Sequence, residues 1–179
     1  KDALIKKAAE NEVNRLAGAT SNDKNVLVEG IDYFLGEGTI LAEGFKTLRG
    51  TSNPDLKKAV ETYTNRDVRE RIVLGQEGGD FVGGANISEI LKLLANEDNL
   101  VKKVAETQVH ALAGAESNGQ NVLVKGIGYF LGEGGILNEE AFQALRSNSN
   151  PDLKKAVEAY TIQEVRERVI LGREAGDFV

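Results

Sequence analysis

Apolar residues recur at helical spacing along most of the chain, and this pattern predicts an all-α fold. Residues 2–17 and 100–112 each carry apolar side chains three or four positions apart, which places them on one helix face. In the first segment these residues are Ile5, Ala8, Ala9, Val13 and Leu16. Because such a face normally packs against a neighbour, we expect it to point into a core.

Two apolar segments have an ambiguous period. Residues 25–35 and 121–131 fit a helix, since Leu27, Ile31 and Leu35 are spaced by four, but their first residues also fit a short strand. We favour a helix, although Gly30 in its interior costs about 1 kcal/mol relative to Ala. The glycines of the following LGEG sequence provide a stop.

The clearest stretch occurs twice, at residues 53–82 and 150–179. Asn53 and Pro54 predict a helix start, with Asn as the cap and Pro in the first helical position. Thr64 with Asp67, and its counterpart Thr161 with Glu164, has capping-box spacing. We therefore expect a second helix to begin there, ending at Gly75 in the first case and at Gly172 in the second.

Almost all of the chain is present in two similar copies. Asn25 and Asn121 open matching NVLV sequences, and Pro54 matches Pro151. Roughly two-thirds of the aligned positions are identical, which is the sequence signature of a repeat. The prediction is a tandem duplication of a unit of about five short helices, with a first repeat at residues 1–82 and a second at residues 97–179.

Residues 83–96 have no counterpart and are called the connector below. They begin with two glycines, continue with Asn86 as a helix cap, and then carry apolar residues at helical spacing. The apolar residues are Ile87, Ile90, Leu91 and Leu94. This pattern predicts a glycine hinge followed by a connecting helix.

Composition excludes several classes of protein. The 179 residues have a net charge of −6 and no basic segment, so nucleic acid is not expected as a partner. No apolar run approaches the ~20 residues of a membrane-spanning helix, so a soluble chain is expected. Methionine is absent even at position 1, which indicates a processed chain or a fragment. A chain without cysteine or methionine is compatible with an oxidising or organellar compartment, and the sequence leaves the compartment open.

The sequence offers little catalytic or metal-binding chemistry. Cysteine is absent and His110 is the only histidine, so zinc, iron–sulfur and histidine-dependent nucleophilic sites are not expected. A surface position on a helix is the favoured interpretation of His110, whose counterpart is Asn14. The SNDKN, NEDN and SNPD segments do not have calcium-loop spacing, and LGEG does not follow a phosphate-loop pattern. We expect no catalytic residue, metal or cofactor.

The candidate binding residues are arginines and tyrosines. The repeated VRER sequence favours a solvated ion-pair face, but it could also bind carboxylates of a partner protein. The adjacent Tyr–Phe pairs predict Phe inward and Tyr at the rim, where Tyr could contact a partner. The candidates are Arg69, Arg71, Arg166, Arg168, Tyr33 and Tyr129.

Three functions fit these observations, in decreasing order of support. The first is a non-catalytic structural or interaction protein, a tandem-repeat linker or scaffold subunit whose partners are other proteins of a larger assembly. The second is a carrier of an apolar ligand, such as a lipid or pigment, held between helices. The third and least favoured is an enzyme that uses only carboxylates.

Overall fold

The structure is a computed structural model, and it confirms a mostly helical fold. Nine α-helices, two 3-10 helices and four two-stranded antiparallel hairpins make up the regular structure of the described residues. The described residues are 2–41, 43–74, 76–77, 80–81, 83–170, 173–174 and 177–178.

The elements of the first half begin with a long helix and a tight hairpin. They are α1 (Ala3–Ala17), β1 (Thr20–Ser21), β2 (Lys24–Asn25), α2 (Val26–Leu35), a 3-10 helix (Gly36–Leu41), α3 (Glu43–Arg49), α4 (Pro54–Ile72), β3 (Gln76–Glu77) and β4 (Asp80–Phe81).

The second half opens with the helix of the connector. The elements are α5 (Ile87–Leu94), α6 (Asn99–Ala113), β5 (Glu116–Ser117), β6 (Gln120–Asn121), α7 (Val122–Leu131), a 3-10 helix (Gly132–Leu137), α8 (Glu139–Ser147), α9 (Pro151–Val169), β7 (Arg173–Glu174) and β8 (Asp177–Phe178). From α6 onward, the order of elements is the same as in the first half.

The helix interpretation of the two ambiguous segments is confirmed, because α2 and α7 occupy them. The Asn25 side chain accepts from the backbone N–H of Leu27 at 3.0 Å and of Val28 at 3.2 Å, and so caps α2. Its amide also donates to the Ala17 carbonyl at 2.8 Å, which ties the end of α1 to the start of α2. Gly36, with φ of 55°, ends α2 as expected.

The polar turns after α1 and α6 are two-residue hairpins, which the sequence interpretation did not foresee. Asn22 and Asp23 have φ of 51° and 62°, and Asn118 and Gly119 have φ of 54° and 74°. Two successive positive φ values are typical of the type I′ turn, which favours Asn, Asp and Gly. The Asn-Gly pair was therefore a usable hairpin signal.

The predicted helix break at Thr64 and Thr161 is wrong, because α4 and α9 run through these positions without interruption. The Thr64 hydroxyl donates to the Val60 carbonyl at 2.7 Å, and the Thr161 hydroxyl donates to the Val157 carbonyl at 2.7 Å. A threonine within a helix satisfies its hydroxyl in this way, so it does not need to cap a new helix. The predicted stops at glycines 75 and 172 lie outside the described residues.

The prediction that the apolar face of residues 2–17 points into a core is also wrong. No residue of α1 is buried, and Ile5 is 68% exposed. The matching face of α6 is buried, and there α5, α7 and α9 pack against the helix. The pattern identifies an apolar face, but whether a neighbour covers it depends on contacts distant in sequence.

Contacts divide the chain into two compact units, residues 1–68 and 69–179. The core of the first unit includes Ile31, Phe45, Val60 and Tyr63. The core of the second is built around the connector helix, α6, α7 and α9, and its fully buried side chains include Ile87, Ile90, Leu93, Leu123, Ile127 and Leu153. The division into repeats at residues 1–82 and 97–179 follows the sequence match and stays a prediction.

Candidate functional site

The candidate site is a groove between α8 and α9 in the second unit. Asn138 caps α8 through the Ala141 N–H, and Asn150 caps α9 through the N–H groups of Asp152 and Leu153. Two polar residues at helix starts therefore fix the helices that form the walls. The groove has a volume of about 540 Å³ and is lined by Phe142, Leu145, Arg146, Lys154, Val157, Glu158, Thr161 and Ile162.

The groove combines an apolar surface with charged groups. Leu145 is fully buried, and Phe142 lies partly exposed beside it. The Arg146 guanidinium lies 5.8 Å from the centre of the Phe142 ring, which is within cation–π range. Lys154 and Glu158 also lie on the wall, so the groove carries charges of both signs beside its apolar surface.

An exposed apolar stripe continues from the groove along α9. Ile162 is 70% exposed, Val165 42% and Val169 73%, and their spacing of three and four residues places them on one helix face. Ile162 belongs to both the groove and this stripe. We call Ile162, Val165 and Val169 the α9 stripe. Contiguous exposed apolar surface of this kind marks an interaction site more often than scattered single residues do.

The matching positions of α4 are covered. Val68 corresponds to Val165 and Ile72 to Val169, and both are fully buried. The connector lies against the end of α4: the Asn86 N–H donates to the Ile72 carbonyl at 2.8 Å, and Val73 pairs with Ala85 in an antiparallel bridge. The same apolar pattern is therefore core at the end of α4 and surface at the end of α9.

The structure separates the four candidate arginines into two classes. Arg71 forms an ion pair with Glu89 of α5 at 3.5 Å. Arg168 donates to Glu164 at 2.6 Å and to the Gly134 carbonyl at 3.1 Å. Arg69 and Arg166 are exposed. The first two arginines hold helices of the second unit in place, and the other two present their charge to solvent.

Glu164 receives a second hydrogen bond, from the hydroxyl of Tyr160 at 3.4 Å. Burial raises the pKa of the Tyr160 hydroxyl, and the negative charge of Glu164 raises this pKa further. Tyr160 therefore stays protonated and acts as a donor, which leaves Arg168 to neutralise the carboxylate.

The two candidate tyrosines are exposed, as predicted. Tyr33 on α2 is 92% exposed and Tyr129 on α7 is 61% exposed. The prediction that the neighbouring phenylalanine points inward is wrong for Phe34, which is exposed, while Phe130 is half-buried. Within α2, Ile31 and Leu35 take the buried face, and this leaves both aromatic residues toward solvent.

His110 lies on the surface of α6, where its Nδ1 atom is 3.0 Å from Asp152 Oδ2. The histidine side chain is mostly exposed, so this pair is worth little in free energy. In the described part of the chain, no three or more His, Cys, Asp or Glu side chains gather where they could hold a metal ion.

Sequence reasoning missed the groove and the stripe as a site. A signal was present, because Ile162, which is 70% exposed, stands where the first half has the polar residue Asn65. Val165 and Val169 gave no such signal, since their counterparts are also apolar. Only the structure shows that Val68 and Ile72 are buried while Val165 and Val169 are exposed.

Comparison with protein-family models, curated proteins and solved structures finds no match for this chain. Over the residues that the structure describes, no helix combines the length and the apolar character needed to cross a bilayer.

Proposed function

We propose that the chain is a non-catalytic interaction protein, a tandem-repeat linker or scaffold subunit of a larger protein assembly. The observation that carries this proposal is the α9 stripe, whose Val165 and Val169 are exposed although the matching Val68 and Ile72 are buried. Exposing these side chains to water costs free energy, at about 25 cal/mol per Å² of apolar surface. A partner that covers the stripe recovers that free energy.

The repeated order of elements supports the tandem-repeat part of the proposal. Both halves of the chain have the same order of elements, which is helix, hairpin, helix, 3-10 helix, helix and long helix. In the sequence, the connector lies between the two halves. Two modules with the same order of elements on one chain can each hold a partner, and binding through both raises the overall affinity. This arrangement suits bridging within an assembly.

The charges around the α9 stripe define the partner's chemistry. Arg146 and Lys154 lie on the groove wall with one carboxylate, Glu158, and Arg166 lies exposed beside Glu167 on the same helix as the stripe. A partner helix or segment with an apolar face bordered by carboxylates would fit this surface, because its acidic groups would meet these cations while its apolar face covers the stripe.

The test introduces one charge at either of two exposed positions of α9. Val169→Asp places a carboxylate on the stripe, and Gln163→Asp places one on another face of the same helix. Each variant and the wild type, carrying a tag, would be isolated gently from the source and weighed by native mass spectrometry. A protein partner retained by the wild type and Gln163→Asp but lost by Val169→Asp supports the proposal. Equal retention by all three chains contradicts it.

The second candidate is a carrier of an apolar ligand, and the groove specifically favours it. Its volume of about 540 Å³ falls in the range of small-molecule sites, and Phe142, Leu145, Val157 and Ile162 give it apolar walls. A lipid or pigment with an acidic group would place that group near Arg146 and Lys154. Organic extraction of the purified chain followed by mass spectrometry tests this function, and Ile162→Glu should reduce the recovered ligand.

A further inference from the structure

A second surface, formed by α1 and α2, also lacks the cover that its counterpart has. We define the α1–α2 face by Ile5, Ala9, Val26, Leu27 and Gly30. Their counterparts on α6 and α7 are all buried, and they are Val101, Ala105, Val122, Leu123 and Gly126. On the α1–α2 face, Ile5, Ala9 and Gly30 are exposed, and Val26 and Leu27 are half-buried.

The connector supplies the cover in the second unit. Helix α5 packs against both α6 and α7, and it does so through Ile87, Ile90, Leu93 and Leu94, which are all buried. Just before α5, the Ala85 N–H donates to the Val122 carbonyl at 3.1 Å. The connector thus docks in two parts, an extended residue on the start of α7 and an amphipathic helix over α6 and α7.

Glycine at position 126 is needed for this docking. A Cβ placed on Gly126 would lie 2.3 Å from the Ala85 carbonyl oxygen, a distance that no side chain can accept without a shift of the backbone. The matching glycine of α2, Gly30, has no atom within 4 Å of the same position. Gly30 therefore sits in a helix interior, where glycine is unfavourable, and no contact in the structure requires it.

From these observations we propose that the α1–α2 face binds a segment of the connector type supplied by another protein molecule. The chemistry of that segment is defined by the connector itself: a small residue in extended backbone, an Asn cap, and a helix with apolar residues at Ile87, Ile90 and Leu94 spacing. The connector of a second copy of this chain is not the expected occupant, because it is already buried on its own α6 and α7. This inference rests on the proposed function as an interaction protein and names the chemistry of one partner.

The test uses a synthetic peptide of residues 83–97 and the full chain. Its binding would be measured by fluorescence anisotropy, and hydrogen exchange would locate the protected helices. We expect saturable one-to-one binding that protects α1 and α2. A matched peptide with Ile87→Asp and Ile90→Asp should not bind, because both residues belong to the buried face of α5.

The variant Gly30→Ala provides the matched control in the protein. Nothing surrounds this position, so the variant should fold with unchanged helical circular dichroism. Because the added methyl group occupies the place that Ala85 takes on Gly126, the variant should bind the peptide at least about tenfold more weakly.

Three results would overturn the proposal. They are no saturable binding, equal binding by Gly30→Ala, and protection confined to α6 and α7, which would mean that the peptide replaces the chain's own connector. Sedimentation equilibrium adds a fourth: a dimer of the chain in which hydrogen exchange shows α1 and α2 protected without the peptide would assign the face to a second copy. None of these four results bears on the Val169→Asp test of the α9 stripe. The proposal for the α1–α2 face can therefore be wrong while the proposed function stands, and the reverse also holds.

Discussion

Glu89 of α5 forms an ion pair with Arg71 at the end of α4, with 3.5 Å between Oε2 and the guanidinium. The other carboxylate oxygen accepts from Lys92 at 2.7 Å. These contacts lower the pKa of the Glu89 carboxyl, chiefly through the hydrogen bond from Lys92 and further through the charge of Arg71, against the opposing effect of burial. Glu89 thereby fixes the connector helix to the end of α4.

The lowered pKa makes part of the stability pH-dependent. A carboxyl with a lower pKa in the folded than in the unfolded state stabilises the fold above the unfolded pKa of about 4.3, and this stabilisation is lost as the pH falls through the folded pKa. We expect Glu89→Gln to lower the free energy of unfolding by roughly 1 kcal/mol at pH 7 and to have a smaller effect near pH 3. Urea denaturation at both pH values measures this.

Glu97→Gln is the control for this prediction, since it removes the same charge from an exposed position near α6. Its effect on unfolding should be smaller at pH 7 than that of Glu89→Gln. A Glu89→Gln chain whose stability relative to wild type is the same at pH 3 and pH 7 would contradict the assigned role of the Glu89 contacts.

Substitution by alanine should have opposite effects on stability at Gly126 and at the matching Gly30. Gly126→Ala brings a methyl group against the Ala85 carbonyl and should destabilise the chain by about 1–3 kcal/mol. Gly30→Ala meets no atom and should stabilise it by about 0.5–1 kcal/mol, because alanine is the better helix former. Thermal and urea unfolding of both variants check this, and changes of the same sign would be incompatible with the connector lying on α7.

Proline at position 162 tests the continuity of α9. If a helix began at Thr161, Ile162 would be its first residue, where proline is tolerated. In the continuous helix the proline removes a hydrogen bond and clashes with the preceding turn, which costs about 3 kcal/mol or more. Ile162→Ala is the control, because Ile162 is exposed and its truncation should cost little. Equal unfolding free energies for the two variants would mean that α9 is interrupted and that a second helix begins at Thr161.

Features that depend on neighbouring residues, such as helix caps, could be predicted from the sequence. Features that depend on contacts distant in sequence, such as which helix face is buried, could not. Asn53 and Asn86 were readable as caps, because a cap acts on a backbone N–H only three residues away. Thr64 was misread, because a threonine bonds a carbonyl inside a helix as readily as it caps one. Val165 carried no sign of its exposure, since its counterpart Val68 has the same side chain and a buried environment.

The arginines of the second VRER sequence should differ in their contribution to stability. Arg168→Ala removes the contacts with Glu164 and with the Gly134 carbonyl, so it should lower the free energy of unfolding by about 0.5–1.5 kcal/mol. Arg166→Ala removes an exposed side chain and should leave stability within about 0.5 kcal/mol of wild type. Urea unfolding of the two variants in parallel measures both effects. A larger loss of unfolding free energy in Arg166→Ala than in Arg168→Ala would contradict the structural role given to Arg168.

The candidate interface arginines can be examined together. Arg69→Glu combined with Arg166→Glu reverses two exposed charges and should weaken binding of a protein partner while leaving helical circular dichroism unchanged. A loss of helicity would mean that these arginines support the fold and that their assignment to an interface is mistaken.

The role of the α9 stripe is tested by native mass spectrometry of the chain isolated gently from its source, beside the Val169→Asp variant. We expect a bound protein partner on the wild type and its loss from the variant, because the α9 stripe is the proposed contact. An added mass of only a few hundred daltons would contradict the scaffold function and favour the ligand carrier. A partner held equally by both chains would contradict the role of the α9 stripe.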